Sequence, residues 1–259
     1  MARSCLGPIH MSDDDNTIFV KQQGAMRTGT NLVKFALEEN FTNVRVLVNI
    51  GRWKHAPAET PFNWRGINWE GEGRSVNVLS RISEEDLSAV RAAFDAEAVK
   101  FAISIREVRS WLVSYIQFMR ANNMCPSLPL NDLQREYIVA ALKQWNRLYG
   151  SYLSLLDGDH RAMLFRFEDL LTNFSATLNQ ARLLWDLKPR HERYVRPARY
   201  MRAGIDGQSR SELLHPYLTF DRQQYLSNNH LAQFNDTLFA LIRQTVDDAI
   251  LRAYGYEAL

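Results

Sequence analysis

The segment Phe19–Phe41, FVKQQGAMRTGTNLVKFALEENF, constrains the fold more than any other part of the chain. An apolar run leads into a loop with glycines at 24 and 29, and apolar residues then recur at the helical period. A strand, a glycine loop and a helix in this order direct several backbone N–H groups toward one point, where an anion can bind. The segment predicts an anion-binding loop; the alternative is a plain strand-to-helix turn with solvated polar residues.

The rest of the chain repeats this alternation. Strands are predicted at 17–22, 44–50, 99–105 and 160–167, and helices at 30–40, 83–94, 110–120, 132–156, 168–185 and 231–254. Such a pattern predicts an α/β fold: three α/β/α layers around a central parallel sheet of four or five strands, similar to P-loop proteins. We expect one domain over residues 16–259. Residues 1–15 are interpreted as a tag-like N-terminus, with native sequence starting near Met11.

Composition narrows the possible partners. The 259 residues carry a net charge of only +2, and the basic residues are spread along the chain, which disfavours general binding to nucleic acid or membrane surfaces. No apolar run reaches the length of a membrane span. The two cysteines, Cys5 and Cys125, lack the spacing of metal ligands and favour reduced thiols in a cytoplasmic setting. The sequence predicts no oligomeric state.

The glycine loop departs from the usual nucleotide-triphosphate site. Gly29-Thr30-Asn31 stands where such a site has Gly-Lys-Ser/Thr, and the positive charge lies earlier, at Arg27. The third predicted strand runs into Arg106, not into an acidic residue that could bind Mg²⁺. The sequence therefore predicts an anion that is bound without a metal.

Arg106 follows the third strand, and Ser114 comes eight residues later. Ligands of open α/β sheets bind beyond the carboxyl ends of the strands, so Arg106 is expected near the glycine loop. The two residues can share one anion only if the chain turns before the next helix begins. The alternative is that Arg106 pairs with a carboxylate such as Glu107 or Glu168.

Four segments occur in a fixed order: MRTGTNL (26–32), REVRSWLVSY (106–115), FEDL (167–170) and RAGIDG (202–207). This set resembles the motifs of cytosolic-type sulfotransferases that use 3′-phosphoadenosine-5′-phosphosulfate (PAPS). That family has a P-K-S-G-T-T-W loop, and then an arginine followed after seven residues by a serine and an aromatic residue. Its later motifs are Y-E-D-L and R-K-G-x-x-G. The departures here are Arg27 for lysine, Phe167 for tyrosine and Ala203 for a basic residue.

The resemblance implies the fold, the cofactor PAPS and a set of binding residues. The 5′-phosphosulfate would be held by Arg27, Thr28, Gly29, Thr30 and Asn31. The 3′-phosphate would be held by Arg106, Ser114, Arg202, Ala203 and Gly204. No metal is implied.

The segment GRWKHAP follows the second strand and carries the candidate base. His55 has an ordinary pKa near neutrality, which suits proton abstraction. Its H-x-P context resembles that of the family's base. Lys54, together with Arg27, would stabilise charge on the leaving oxygen. The alternatives are that His55 is only a surface residue, or that Glu59 or Glu70 is the base.

The acceptor is predicted to be a small or neutral molecule such as a saccharide, a phenol or a secondary metabolite, because the chain has no dense basic stripe. Trp53, Trp64 and Trp69 could stack on it or pack a loop, whereas the stripe Trp111, Tyr115 and Phe118 has core spacing. Two other functions stay open: a metal-dependent small-molecule kinase, and a nucleotide-binding scaffold without activity.

Overall fold

The computed structural model describes residues 17–48, 54–58, 84–157, 161–196, 199–201, 217–219, 222–226, 231–232 and 234–259. The strands are β1 (Ile18–Gly24), β2 (Val44–Leu47), β3 (Lys100–Ile105), β4 (Ala162–Arg166), β5 (Arg199–Met201) and β6 (Tyr217–Thr219). The helices are α1 (Thr30–Asn40), α2 (Glu84–Asp95), α3 (Val108–Ala121), α4 (Arg135–Leu156), α5 (Phe167–Thr172), α6 (Phe174–Trp185), α7 (Arg222–Leu226), α8 (Asp236–Thr245) and α9 (Asp248–Ala253). A 3₁₀ turn covers Leu130–Asp132.

The first four strands form one parallel sheet in the order β2-β1-β3-β4. The predicted α/β class with a parallel sheet of four or five strands is therefore confirmed. From β1 the chain crosses first to β2 and then to β3 on the other side, so the strand order reverses between β1 and β3. Such a reversal opens a crevice at the carboxyl ends of the two strands, where ligands of this fold class bind. In addition, β5 and β6 form a separate antiparallel pair.

Apolar side chains cover both faces of the sheet, as the three-layer prediction requires. On one face Ile103 packs with the fully buried rings of Trp111, Trp145 and Tyr149 from α3 and α4. On the other face Val20 packs with side chains of α1, α5 and α6. Burying one aliphatic side chain stabilises the fold by roughly 1.5–3 kcal/mol. These two layers hold the ends of β1 and β3, and the loops that follow them, in place.

Two predicted helices are each divided in two in the structure, and a third begins later than predicted. The helix predicted at 168–185 is two helices, α5 and α6, which meet at Asn173. The helix predicted at 231–254 is α8 and α9, because the side chains of Asn235 and Asp247 accept backbone N–H groups and each cap a new helix. The helix predicted from 132 begins at Arg135, after the 3₁₀ turn. Within the described ranges, no helix has the length and apolarity needed to cross a bilayer.

Candidate anion-binding site

The loop between β1 and α1 depends on its two glycines. A Cβ atom on Gly24 would lie 2.6 Å from the carbonyl oxygen of Ser104 in β3. Gly29 has φ +84°, and a Cβ atom there would lie 2.6 Å from Cδ2 of Phe167. Contacts this short would force the neighbouring atoms to shift, and the left-handed conformation of Gly29 disfavours side chains further. The glycine spacing thus reflects two close approaches of the loop, one to the backbone of β3 and one to the ring of Phe167 in α5.

Side chains from α3 and α4 fix the loop. The hydroxyl of Tyr149 accepts the N–H of Ala25 at 3.2 Å and donates to the carbonyl of Ser104 at 2.8 Å. The indole Nε1 of Trp111 donates to the carbonyl of Met26 at 2.8 Å. Since both aromatic residues are buried, the loop is held against the sheet before any ligand binds.

The first turn of α1 faces a cleft. Gly29 is the N-cap of this helix and provides no side-chain hydrogen bond, so the first N–H groups of the helix keep their capacity to bind an anion. Thr30, Asn31 and Leu32 line the cleft. Thr28 does not line it, because its hydroxyl is buried and donates to the carbonyl of Ala25 at 2.7 Å.

Arg106 enters the cleft from the end of β3, the strand next to β1. The chain turns after Arg106, and α3 begins at Val108 with Glu107 as its N-cap. The guanidinium carbon of Arg106 lies 4.8 Å from the ring centre of Phe167 and 5.4 Å from that of Tyr225. Arg106 is only 5% exposed, and its Nε atom has no hydrogen-bond partner among the described residues. A buried donor without a partner is costly to the fold and calls for an acceptor.

The two carboxylates that could have paired with Arg106 bond elsewhere. Glu107 accepts the backbone N–H groups of Arg109 and Ser110 and pairs with the side chain of Arg109 at 2.6 Å. Glu168 accepts the N–H of Glu107 at 2.9 Å and the hydroxyl of Tyr256 at 2.8 Å. Burial lowers the pKa of Arg106, the charge of Glu168 partly opposes this, and the charge of Arg27 lowers it further.

Arg27 approaches from the glycine loop. It has φ +72°, its Nε donates to Oγ of Ser114 at 3.3 Å, and its guanidinium carbon lies 5.7 Å from the ring centre of Phe118. Arg27, Ser114 and Arg106 line the same cleft, which holds about 540 Å³ of empty space including the solvent at its mouth. Two arginines that face one cleft repel each other unless an anion lies between them.

Lys54 supplies the lysine charge that the loop lacks after Gly29. Its Nζ donates to Oδ1 of Asn31 at 2.8 Å, although the residue comes from the segment after β2. Lys54 is 5% exposed, and its burial, followed by the charge of nearby Lys34, lowers its pKa to about 7. An anion beside Asn31 would favour the charged form of Lys54.

His55 adjoins the loop from the other side. Its Nδ1 lies 2.6 Å from the carbonyl oxygen of Gly24. Because a carbonyl oxygen only accepts, Nδ1 carries the hydrogen, and the ring's lone pair is on Nε2, as a general base requires. Burial, and then the charge of Lys54, lower the pKa of His55 to about 3, whereas the bond to Gly24 opposes this shift. His55 lines a second cleft, beside α4.

The structure thus brings together most of the predicted residues that it describes, although Thr28 does not line the cleft and His55 lines a different one. Arg27, Gly29, Thr30, Asn31, Arg106 and Ser114 share one cleft, and Lys54 contacts it through Asn31. The rings of Phe167 and Tyr225 were missed as partners of Arg106; Phe167 stood out only as a departure from a motif, and no signal marked Tyr225. Several candidates lie outside the described residues: Arg202, Ala203, Gly204, Glu59, Glu70, Trp53, Trp64 and Trp69.

A comparison with protein-family models found no match, and neither did a comparison with curated proteins. Among solved structures, the chain is similar to the sulfotransferase domain of the Synechococcus PCC 7002 olefin synthase, at 13% identity and TM-score 0.42, covering 90% of this chain and 96% of that one. It is also similar to the sulfotransferase domain from the curacin biosynthetic pathway, at 14% identity and TM-score 0.46, covering 94% and 99%.

Proposed function

We propose that this protein is a PAPS-dependent sulfotransferase that transfers a sulfuryl group to a hydroxyl or amine of a small molecule or saccharide. The observation that carries the proposal is Arg106, whose buried Nε lacks a hydrogen-bond partner among the described residues and which lines the same cleft as Arg27 and the first turn of α1. A donor with two separate anionic groups matches this arrangement. We also propose that the protein works in the cytoplasm, where its thiols would stay reduced.

The residues present fit such a donor. The 3′-phosphate would be held by Arg106 and Ser114, and Arg27, which bonds to Ser114, would contact the adjoining 5′-phosphosulfate. The 5′-phosphosulfate would be held by the first N–H groups of α1, by Thr30 and by the Lys54–Asn31 pair. Guanidinium groups and helix N-termini both bind phosphate and sulfate oxygens well, and neither needs a metal ion.

Bound PAPS would supply an activated sulfuryl group for transfer to the acceptor oxygen or nitrogen, with adenosine 3′,5′-bisphosphate as the other product. Nε2 of His55 takes the acceptor's proton. The hydrogen bond from Nδ1 to Gly24 holds the ring in the required tautomer. Lys54 stabilises the negative charge that develops on the leaving oxygen, and Arg27 adds to that stabilisation.

The low pKa of His55 makes the ring a weaker base in the free protein, but it also leaves the ring ready for this role. It keeps the imidazole neutral, and therefore able to accept a proton, throughout the physiological pH range. The repulsion from Lys54 that helps to lower this pKa is offset when an anionic donor binds beside Lys54, so the basicity of His55 rises in the complex.

The proposal is tested by titrating the protein with adenosine 3′,5′-bisphosphate in a calorimeter and by assaying sulfuryl transfer from labelled PAPS to a panel of acceptors. We expect binding in the presence of EDTA, and much weaker binding of ATP with Mg²⁺. Binding of the bisphosphate with no transfer to any acceptor would favour the scaffold function. Loss of γ-phosphate from ATP would favour the kinase.

A further inference from the structure

We propose that the acceptor carries an anionic group, a carboxylate or phosphate, which Lys143 and Arg147 of α4 bind. This inference rests on the proposed function and specifies the acceptor of the same site. It departs from the neutral acceptor that the spread of charge along the sequence favours. It starts from the second cleft, which is lined by His55, Ala56, Pro57, Ala140, Lys143, Gln144, Arg147 and Leu148.

We place the acceptor in this cleft because His55, the proposed base, lines it. His55 is in its wall, and the cleft holds about 970 Å³ of empty space, including solvent at its mouth, which is enough for a small molecule. The wall that carries His55 is fixed to α4. Tyr152 donates to the carbonyl of Ala56 at 2.7 Å, and Ser151 accepts the N–H of Ala58 at 2.9 Å.

Among the described residues that line the cleft, the charged side chains are all positive. Lys143 and Arg147 are separated by one helical turn, about 6 Å along the axis, so their side chains lie on the same face of α4. Both are exposed, and neither forms an ion pair with a carboxylate in the part of the chain that the structure describes. The cleft-lining residues that the structure describes include no aspartate or glutamate.

In this cleft two cations would bind the acceptor, and a general base would take its proton. The anionic end of the acceptor would contact Lys143 and Arg147, and this contact would leave its hydroxyl or amine to reach Nε2 of His55. Arginine and lysine both bind carboxylates and phosphates. The two side chains therefore predict an anionic group on the acceptor, and the experiment below determines whether it is a carboxylate or a phosphate.

The test uses two acceptor scaffolds, a phenol and a primary aliphatic alcohol. Each is prepared with a remote neutral, carboxylate, phosphate or ammonium group. Turnover with saturating PAPS gives kcat/KM for each acceptor. Saturation-transfer NMR with adenosine 3′,5′-bisphosphate measures contact between acceptor and protein without turnover. We expect the anionic forms to exceed the neutral form by roughly 10- to 100-fold in kcat/KM, mainly through KM. A higher value for carboxylate or for phosphate identifies the source of the anion.

The double variant Lys143→Ala/Arg147→Ala should lose this preference while its Kd for adenosine 3′,5′-bisphosphate stays unchanged. The matched control, Arg243→Ala/Arg252→Ala, removes two exposed arginines outside the cleft and should keep the preference. Lys143→Glu/Arg147→Glu should favour the ammonium form. Equal use of all charge forms, or a preference that survives in the alanine pair, would overturn the inference. If the bisphosphate does not bind and nothing is turned over, the proposed function fails, and the NMR comparison still decides the charge preference of the cleft.

Discussion

Nζ of Lys54 donates a 2.8 Å hydrogen bond to Oδ1 of Asn31 and so joins the segment after β2 to the first turn of α1. The glycine loop has no lysine of its own at the position where nucleotide-triphosphate sites carry one. A lysine that is distant in sequence therefore brings a buried charge to the same helix N-terminus. Its pKa of about 7 makes this charge sensitive to pH and to ligands.

Donor binding should be linked to proton uptake by Lys54. A bound polyanion raises the pKa of Lys54, so affinity is complete below pH 7 and falls as the pH rises from about 7 toward the pKa of the bound state. Titrations of adenosine 3′,5′-bisphosphate at pH 8, in two buffers of different ionisation enthalpy, measure this uptake. Lys54→Met should abolish it, and Lys188→Met, at an exposed lysine, should not. Equal uptake by wild type and Lys54→Met would show that another group titrates.

The rings beside Arg106 should set its affinity for the donor phosphate. The rings of Phe167 and Tyr225 lie 5.3 Å apart at 83°, and both contact the guanidinium. Phe167→Leu or Tyr225→Leu should weaken bisphosphate binding by about 2- to 30-fold, the range of a cation–π contact of about 0.5–2 kcal/mol. Phe167→Tyr and Tyr225→Phe retain the rings and should bind normally. Equal Kd values for the leucine and ring-retaining variants would mean that the rings only fill space.

Arg106 itself should be indispensable for binding. Arg106→Ala is expected to weaken binding of the bisphosphate by about 10- to 100-fold, because a buried charged hydrogen bond is lost. Arg106→Lys keeps the charge but loses the planar group between the rings, so it should recover only part of the affinity. Calorimetry on both variants, with thermal unfolding as a check on folding, measures these effects. Normal affinity in Arg106→Ala would remove this residue from the donor site.

Much of this site could be predicted from the sequence because its signals are local. The apolar runs and glycines place β1, the loop and α1, and Arg106 follows directly after a buried strand. The Lys54–Asn31 bond, the loop contacts of Tyr149 and the ring of Tyr225 over Arg106 could not be predicted in this way. Each of these contacts joins residues far apart in the chain, and a residue pattern does not predict which face of a helix contacts which loop. The helix breaks at Asn173 and Asp247 were missed since apolar periodicity continues across a capping residue.

Gly29 should be more sensitive to substitution than a glycine in a helix. Gly29→Ala is expected to destabilise the protein by at least about 1–2 kcal/mol, because alanine disfavours φ +84° and its Cβ atom would meet the ring of Phe167. Gly150→Ala is the matched control. It lies within α4, its nearest contact would be an ordinary 3.5 Å, and alanine favours helix by about 0.5–1 kcal/mol. Denaturant unfolding measures both variants, and an unaffected Gly29→Ala would contradict the close approach of loop and ring.

His55 should be needed for turnover and not for donor binding. His55→Asn places an amide N–H where Nδ1 donates to Gly24, yet it removes the base on Nε2. We expect a bisphosphate Kd within about twofold of wild type, and a kcat lower by about 100-fold or more, the usual contribution of a general base. His55→Gln, which lacks that donor position, should lose the same activity and also some stability. Near-normal kcat in His55→Asn would assign the proton to another group.

The pH dependence of stability gives a separate test of His55. Its pKa is about 3 in the folded protein and near 6.5 when unfolded, so the unfolded chain binds the extra proton between these values. The stabilising contribution is complete above pH 6.5 and is lost as the pH falls toward 3. In urea unfolding from pH 7 to pH 4, His55→Asn should therefore lose less stability than wild type. If the His55→Asn curve follows wild type, His55 titrates normally and its ring is not held neutral against Gly24.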